Sequence, residues 1–293
     1  IGVGYFAGGS VTTGIQNTLV GGLAGDALTD GQINAALGYA ALTADTRGQR
    51  AVAIGGFALN NQNITTATES YNVAVGYNSG GAVTTGTSNT LIGALAGDAL
   101  TDADSNVAVG RSALSADTLG SRSVAIGEKT LEIQNFTTAT NAYNVAVGYI
   151  AGNSMSTGIK NTLIGGLAAD SLTTGERNVY VGYTSGDRGT TGDFNTGVGA
   201  ETLFFNVAGN KNTAVGESAL FSMTAATSTD THNTAVGYSA GGSVTSGIYN
   251  TLIGSLSGDA LTTGLSNTAM GKGALGADTK GNANTAIGKD ALA

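Results

Sequence analysis

The 293-residue chain has no cysteine, no proline and no tryptophan, and only 11% of its residues are charged. The absence of cysteine excludes a disulfide framework and cysteine-ligated zinc. Its 12 lysine and arginine residues are scattered singly and the formal net charge is −8, so the basic stripe that nucleic-acid phosphates require is missing. No apolar run approaches the roughly 18 residues of a membrane helix. We therefore predict neither nucleic-acid binding nor membrane insertion for this segment.

Glycine is abundant instead, with 48 residues, and much of the 41% hydrophobic fraction is alanine. A core of bulky side chains is hard to build from such a composition. The glycine content is too low for collagen, and proline is missing. Disorder fits poorly as well, because Val, Ile and Leu recur at fixed places and the net charge is modest for the length.

A five-letter box that ends in glycine, such as NVAVG at positions 72–76, recurs along the whole chain. We call it the strand box and number positions from its glycine, so that position −2 lies two places earlier. The boxes recur with a 17-residue period, except that a 21-residue step follows Gly55, Gly127 and Gly216. The seventeen box glycines are Gly4, Gly21, Gly38, Gly55, Gly76, Gly93, Gly110, Gly127, Gly148, Gly165, Gly182, Gly199, Gly216, Gly237, Gly254, Gly271 and Gly288.

A longer period is superimposed on the 17-residue period. Gly4, Gly76 and Gly148 are equally spaced, with three short steps and one long step between neighbours. The next equivalent glycine, Gly237, lies one additional short step further along. Because a whole inserted unit leaves the later boxes in phase, each unit is predicted to form one closed structural turn.

The same spacing predicts the domain organisation. We expect a single continuous domain over 1–293, with long-period blocks 4–75, 76–147, 148–236 and 237–293. The sequence starts and ends inside the repeat, so we expect it to be a fragment of a longer fibre.

The columns of the repeat favour short strands. Position −4 is Asn in 14 of 16 boxes, with Ala51 and Ser123 as exceptions, and positions −3 and −1 are β-branched or apolar in nearly all. In the 17-residue units, position +8 is nearly always Thr and position +10 nearly always Gly, which we interpret as a turn with positive φ. No window shows a helical period. The pattern predicts an all-β fold, a parallel β-solenoid or β-roll of about 17 coils.

Stacked coils place identical side chains above one another, so the Asn and Thr columns are predicted to form hydrogen-bonded ladders. The ladder asparagines include Asn72, Asn89, Asn144, Asn161, Asn233 and Asn250.

Alternate residues of a strand face opposite ways. We expect Val73 and Val75 to fill the coil and Ala74 to point outward, and likewise Val236 inward and Ala235 outward. The whole position −2 column is apolar or small, apart from the polar tip of Tyr180. An apolar outward column needs cover, which predicts self-association as a homotrimer. The alternative is a monomeric solenoid with an apolar side.

The boxes NTAVGYSAG (233–241), SVAIGEKTL (123–131) and AVAIGGFAL (51–59) resemble the head repeat of trimeric autotransporter adhesins and the similar repeats of phage tail-fibre proteins. The resemblance covers essentially the whole chain. It implies a left-handed parallel β-roll of three chains, although the 17-residue spacing is longer than that usual in adhesin heads.

Three longer segments, 60–72, 132–144 and 222–233, hold the four extra residues of the 21-residue units and are predicted to project as polar loops. Such loops on a rigid scaffold are candidate binding sites, and the alternative is a tolerated bulge. The patterns that start at Asn63 and Asn135 also fit N-glycosylation, though such matches arise easily by chance. The candidate surface-binding residues in the segments are Asn63, Thr65, Asn135, Thr137 and His232.

Tyrosine at position +1 supplies further candidates, either for stacking on sugars or for packing at an interface. These residues are Tyr5, Tyr77, Tyr149 and Tyr238. Asp26, Asp98, Asp170 and Asp259 recur in AGDAL-like turns and are interpreted as turn-forming residues that bond to their own backbone. We predict no metal site, no cofactor and no catalytic residue.

These observations predict a structural fibre or adhesin segment that is extracellular, on a cell surface or a virion, and that contributes to attachment. A host-cell glycan or surface receptor is the expected external partner. Two alternatives stay open. One is an ice- or crystal-binding solenoid with Thr columns, although the adjacent Thr12 and Thr13 face opposite ways. The other is a glycan-degrading enzyme on a solenoid, for which no carboxylate pair stands out.

Overall fold

The computed structural model describes residues 1–225 and 227–293, so only Ala226, in the third longer segment, lies outside the described residues. Across the described residues the regular elements are short strands, joined by turns, with no helix. The chain divides into two compact units, Ile1–Asn144 and Val145–Ala293.

The first unit contains ten strands, of which eight are strand boxes stacked in parallel. They are β1 (Gly2–Val3), β2 (Thr18–Val20), β3 (Ala35–Leu37), β4 (Val52–Ile54), β5 (Val73–Val75), β6 (Thr90–Ile92), β7 (Val107–Val109), β8 (Gly120–Ser121), β9 (Val124–Ile126) and β10 (Thr140–Asn141). Each box pairs in parallel with the next at equivalent positions, as Ala74 of β5 does with Leu91 of β6. The short strands β8 and β10 form a separate parallel pair.

The second unit repeats the arrangement with eleven strands, nine of them boxes. They are β11 (Val145–Val147), β12 (Thr162–Ile164), β13 (Val179–Val181), β14 (Thr196–Val198), β15 (Gly209–Asn210), β16 (Thr213–Val215), β17 (Thr229–Asp230), β18 (Thr234–Val236), β19 (Thr251–Ile253), β20 (Thr268–Met270) and β21 (Thr285–Ile287). Strands β15 and β17 pair outside the main ladder. The predicted all-β parallel solenoid of about 17 coils with a 17-residue period is confirmed.

The interior of each coil is filled by position −2, which reverses the predicted orientation of the strand box. Ala74 and Ala235 are fully buried, whereas Val236 is 36% exposed. Val73 and Val75 are half-buried on the outer face. The prediction was wrong because it gave the larger side chains to the core. A coil closed by so short a repeat has a narrow interior, which admits a column of mostly Ala and Leu, and the β-branched side chains face outward.

Tyr180 shows how the narrow interior accepts one large residue. Its ring lies at position −2 and is 1% exposed. The residue paired with it in the next coil is Gly197, and an added Cβ there would lie 3.0 Å from the Tyr180 ring. The glycine at 197 therefore provides the volume that the tyrosine occupies.

The chain turns its corners with left-handed residues at positions −5, +2 and +4. In the coil around Gly93 these are Ser88, Leu95 and Gly97, with φ of 60°, 60° and 55°. The glycines at position +10 do not adopt positive φ, contrary to the prediction. Glycine stands there because of crowding: a Cβ at Gly86 would lie 2.4 Å from the carbonyl oxygen of Ala103 in the next coil.

Candidate functional site

The Asn column forms the predicted ladder, and each side chain joins two coils. The Oδ1 atom of Asn89 accepts the backbone N–H of Asn106 at 2.9 Å, while its Nδ2 donates to the carbonyl of Ala103 at 2.8 Å. The same pattern holds in the second unit, where Asn233 accepts from the N–H of Asn250 at 2.9 Å. Asn89 and Asn233 are buried. These side chains are therefore structural and are inaccessible to an external ligand.

The Thr column at position +8 forms a second ladder, also as predicted. The hydroxyl of Thr84 donates to the carbonyl of Thr101 at 3.2 Å, and that of Thr101 donates to Thr118 at 3.0 Å. In the second unit Thr173 donates to Thr190 in the same way at 2.9 Å. The hydrogen of each of these hydroxyls is committed to the neighbouring coil, so this column serves the fold.

A buried polar cluster underlies each of the first two longer segments, and sequence reasoning missed it. Asp45 Oδ1 accepts the N–H groups of Gly48 at 2.9 Å and Ile64 at 3.1 Å, and its Oδ2 accepts Gln62 Nε2 at 2.6 Å. Gln62 Oε1 in turn accepts Asn72 Nδ2 at 2.9 Å. Burial raises the pKa of the Asp45 carboxyl above its ordinary value, and the hydrogen bonds from Gln62, Gly48 and Ile64 oppose that rise.

The second cluster, Asp117 with Gln134, repeats these contacts: Gln134 Nε2 donates to Asp117 Oδ2 at 2.6 Å, and burial again raises the carboxyl pKa. The signal in the sequence is an Asp and a Gln one unit apart, both at position +7. At the third segment, the two corresponding position +7 residues are Asn206, in the preceding coil, and Met223. A neutral pair can therefore replace the acid–amide pair beneath a 21-residue coil.

The extra residues of the first two segments are exposed, as predicted for projecting loops. Thr65 and Thr137 are exposed, and Ile64 and Phe136 beside them are buried. Asn63 accepts the Thr46 hydroxyl at 3.1 Å, which makes it an extension of the Thr ladder.

Asn135 has the corresponding contact with Thr118, at 3.0 Å. These two asparagines are exposed yet anchored to the preceding coil. The neighbouring threonines, Thr65 and Thr137, are the freer surface for contact with another molecule.

His232 closes the third segment, and the structure joins it to charged and aromatic side chains. Its ring stacks on Tyr249 at 5.4 Å between centroids and 16° between planes, and its Nε2 lies 3.9 Å from Asp230 Oδ2. Lys211 Nζ lies 2.5 Å from the same carboxylate oxygen, and this contact holds the pKa of Asp230 below its usual value. His232 is therefore an exposed surface residue in contact with Tyr249 and Asp230.

The four candidate tyrosines are exposed on the outer face. Tyr77 is 59% exposed and packs edge-on against Phe57 at 6.0 Å, which packs in turn against Tyr39 at 5.4 Å. The first unit therefore contains a short aromatic row on its surface. Near its start Tyr5 contacts Phe6 at 4.8 Å. The other exposed candidates, in the second unit, are Tyr149 and Tyr238.

Two of the recurrent aspartates, Asp26 and Asp98, differ in their contacts. Asp26 Oδ1 accepts a hydrogen bond from the hydroxyl of Thr43 in the next coil. The Asp98 carboxylate is near its own backbone N–H, but its Oδ1 atom is buried without a hydrogen-bond partner, and burial raises its pKa.

Among residues 1–225 and 227–293, no three His, Cys, Asp or Glu side chains are grouped to hold a metal ion. Over the same residues no helix is long and apolar enough to span a membrane.

The second unit also has an aromatic patch that the sequence analysis did not predict. Phe204 and Phe221 stack at 5.3 Å, and Phe205 meets both rings edge-on at 4.8 and 5.2 Å. Arg188 lies over Phe204 with its Cζ 5.9 Å from the ring centroid. The signal was a local departure from the repeat, since position +5, where Phe204 and Phe221 stand, is small or polar in the other coils.

Comparison with protein-family models and with curated proteins finds no match for this chain.

Proposed function

We propose that this chain is a non-catalytic structural segment of an extracellular fibre or adhesin, on a cell surface or a virion, of the kind that its strand boxes resemble. The supporting observation is the outer face of the strand boxes, where position −1 is apolar in every coil and is either exposed or half-buried. In the first unit this column includes Leu37 (49% exposed), Ile92 and Ile126, and in the second unit Ile164, Val198 and Met270.

Such a column favours association between copies of the chain. A repeated apolar surface of this kind is unusual for a protein that stays alone in water. Exposed tyrosines at position +1 flank it, and aromatic residues with one polar end are favoured at interfaces. We propose a homotrimer in which the outer faces of three chains cover one another.

The projecting segments are the proposed points of attachment. Their exposed threonines stand on coils that are fixed to their neighbours by the Asn and Thr ladders, so the loops keep a defined position. The proposed external partner is a host-cell glycan or a surface receptor.

Light scattering after size-exclusion chromatography tests the assembly. We expect a particle of three times the chain mass of 28.7 kDa. A monomer at micromolar concentration would contradict the trimer.

Removal of residues 65–68 and 137–140, with cell and glycan binding as the readout, tests attachment through the first two segments. We expect binding to fall while the trimer persists. Unchanged binding would show that these segments are tolerated bulges that do not contribute to attachment.

A further inference from the structure

A groove in the second unit lies beside the aromatic patch and has the composition of a saccharide site. It encloses about 380 Å³, and its lining includes Glu201, Ser218, Phe221, Ser239, Gly242 and Asp259. Small-ligand sites are typically about 300–1,000 Å³ and combine apolar walls with a few polar groups. This groove has the size and mixed lining of such a site.

The groove exists because one coil lacks a side chain at position +5. Phe221, Gly242 and Asp259 occupy this position in three successive coils, so the glycine leaves a notch between a phenyl ring and a carboxylate. A Cβ at Gly242 would have its nearest contacts with Ser239, at 3.2 Å from the carbonyl oxygen and 3.6 Å from the Cβ. These contacts all lie 3.2 Å or more away, and the missing side chain at Gly242 leaves room in the groove between Phe221 and Asp259.

The equivalent positions of the other long-period blocks are more crowded than Gly242. A Cβ at Gly81 would lie 2.2 Å from the Asn78 side chain, and one at Gly9 would lie 2.9 Å from the Phe6 ring. The third block places Asn153 at the position itself. Within the repeat, Ser239 combined with Gly242 is the departure that opens the notch.

The polar groups of the groove are mostly hydrogen-bond acceptors and hydroxyls. The Ser218 hydroxyl donates to Glu201 Oε2 at 3.2 Å, and both residues line the groove. Asp259 is half-buried at the other side of the notch. Hydrogen bonds to carboxylates are roughly twice as strong as neutral ones, so ligand hydroxyls are well suited to both ends.

The Phe221 ring favours ligands that have an apolar face as well as hydroxyl groups. Phe221 is held by Phe204 and Phe205, so its orientation is fixed before binding. A sugar ring presents an apolar face of C–H groups and an edge of hydroxyls, which matches one ring wall and two carboxylate ends.

We propose that this groove binds a neutral hexose unit of a glycan, with the sugar face on Phe221 and its hydroxyls bonded to Glu201 and Asp259. The proposal rests on the attachment function above and adds a second contact site to the projecting segments, with a neutral hexose as its ligand class. The groove lining includes no position −1 residue, so the proposed interface and the groove can be varied separately.

Saturation-transfer NMR with the intact chain tests the site, using neutral trisaccharides of glucose, galactose and N-acetylglucosamine as probes. We expect at least one probe to receive saturation and Phe221→Ala to weaken its affinity by about tenfold, the effect of losing one stacked ring. Gly242→Asn should abolish binding, because it fills the notch with the residue that the third block already accepts. Phe194→Ala, which removes an exposed phenyl ring of the second unit outside the groove, is the control and should bind as the parent does.

No transfer to any of the probes, or transfer that persists in both groove variants, would overturn the proposal. Circular dichroism of Gly242→Asn verifies the fold, and light scattering of the same samples reads the assembly separately. A trimer that binds none of the probes would therefore refute the groove and leave the fibre proposal standing.

Discussion

Asparagine at position −4 is the residue on which the stacking of coils most directly depends. Its amide both accepts and donates, so it satisfies one N–H and one C=O of the following coil. Serine can accept from the next coil but cannot reach as far, and alanine does neither. Ala51 and Ser123, the two exceptions, open the coils that contain the first two longer segments, where the Gln62 and Gln134 amides supply additional hydrogen bonds.

Asn89→Ala should lower the free energy of unfolding by about 2–5 kcal/mol, because the buried N–H of Asn106 and the carbonyl of Ala103 both lose their partner. Urea unfolding followed by circular dichroism measures the change. Ser88→Ala, at the exposed neighbouring residue, should shift stability by less than about 0.5 kcal/mol. Equal losses in the two variants would contradict the role of the amide.

Glycine at position 0 is fixed by both conformation and space. Gly165 has φ of +138°, and a Cβ there would lie 2.4 Å from the carbonyl oxygen of Gly182. Its neighbour Gly166 has an ordinary φ, and a Cβ there would meet only the Tyr183 ring at 3.7 Å.

Gly165→Ala should therefore destabilise the chain severely, whereas Gly166→Ala should be neutral or slightly stabilising, since alanine reduces the freedom of the unfolded chain. Thermal melts of the two variants give a matched comparison at adjacent positions. Similar melting temperatures would refute the close approach of successive glycines.

The 21-residue coil is the element whose length differs from the 17-residue period. Its extra residues leave the coil and return beside the preceding one, where β8 pairs with β10 in the first unit. Arg50 fastens the first segment through a salt bridge to Glu69 at 2.9 Å and contact with the Tyr71 ring. Beneath the loop, Asp45 Oδ1 accepts the N–H of Gly48, whereas the equivalent N–H of Gly86 donates to the backbone carbonyl of Thr101.

Asp45 should give the fold a characteristic pH dependence. Burial raises its folded pKa above the ordinary 3.8, so the folded chain holds the proton more tightly than the unfolded chain. Stability should then fall as pH rises from about 3.8 through the raised value, the reverse of an aspartate in a salt bridge. In Asp45→Asn with Gln62→Met, the pair found at Asn206 and Met223, the contribution of Asp45 to that loss should vanish, while that of Asp117, whose pKa is also raised by burial, remains.

Urea unfolding of the parent and the double variant between pH 4 and 7 measures the difference. Asp45→Asn alone should be less stable than the double variant, because its amide donor would face the Gln62 donor. A parallel pH profile for parent and double variant would show that the buried carboxyl is not responsible.

At the scale of the whole molecule, a single chain leaves the outward apolar column at position −1 without a covering surface. The column is present in both units, and its residues do not contribute to the interior of the coil. Association can therefore be perturbed without removing the core, which separates assembly from folding.

Ile164→Glu should convert the proposed trimer into a folded monomer, because three carboxylates would be buried against an apolar face. Light scattering gives the mass and circular dichroism the fold. Ile133→Glu, at a residue that is 50% exposed but lies in the second longer segment, should remain a trimer. Loss of assembly in both variants, or in neither, would contradict an interface along position −1.

Sequence reasoning reached the architecture because the repeat is itself a physical constraint. A 17-residue period that survives the insertion of a whole unit admits a stack of closed coils, and Asn or Thr columns then become ladders. The orientation of the box could not be read in the same way. NVAVG alternates equally well with Ala74 or with Val73 inside, and only the width of the closed coil selects alanine.

Local departures from the repeat were the least predictable. Asp45 and Gln62 stand at the same position of successive units, but their contact depends on the path of a 21-residue coil. Phe221, Gly242 and Asp259 become one groove only because successive coils bring position +5 into line.

The sequence by itself determined the strand positions, the number of coils and the residues of the two ladders, because each follows from identical neighbours at a fixed spacing. The tertiary structure alone decided which face of each strand is buried, which residues are left-handed at the corners and where a notch opens. Those properties depend on the space left inside and between coils. That space is set by the closure and stacking of the coils, so it cannot be read from one repeat.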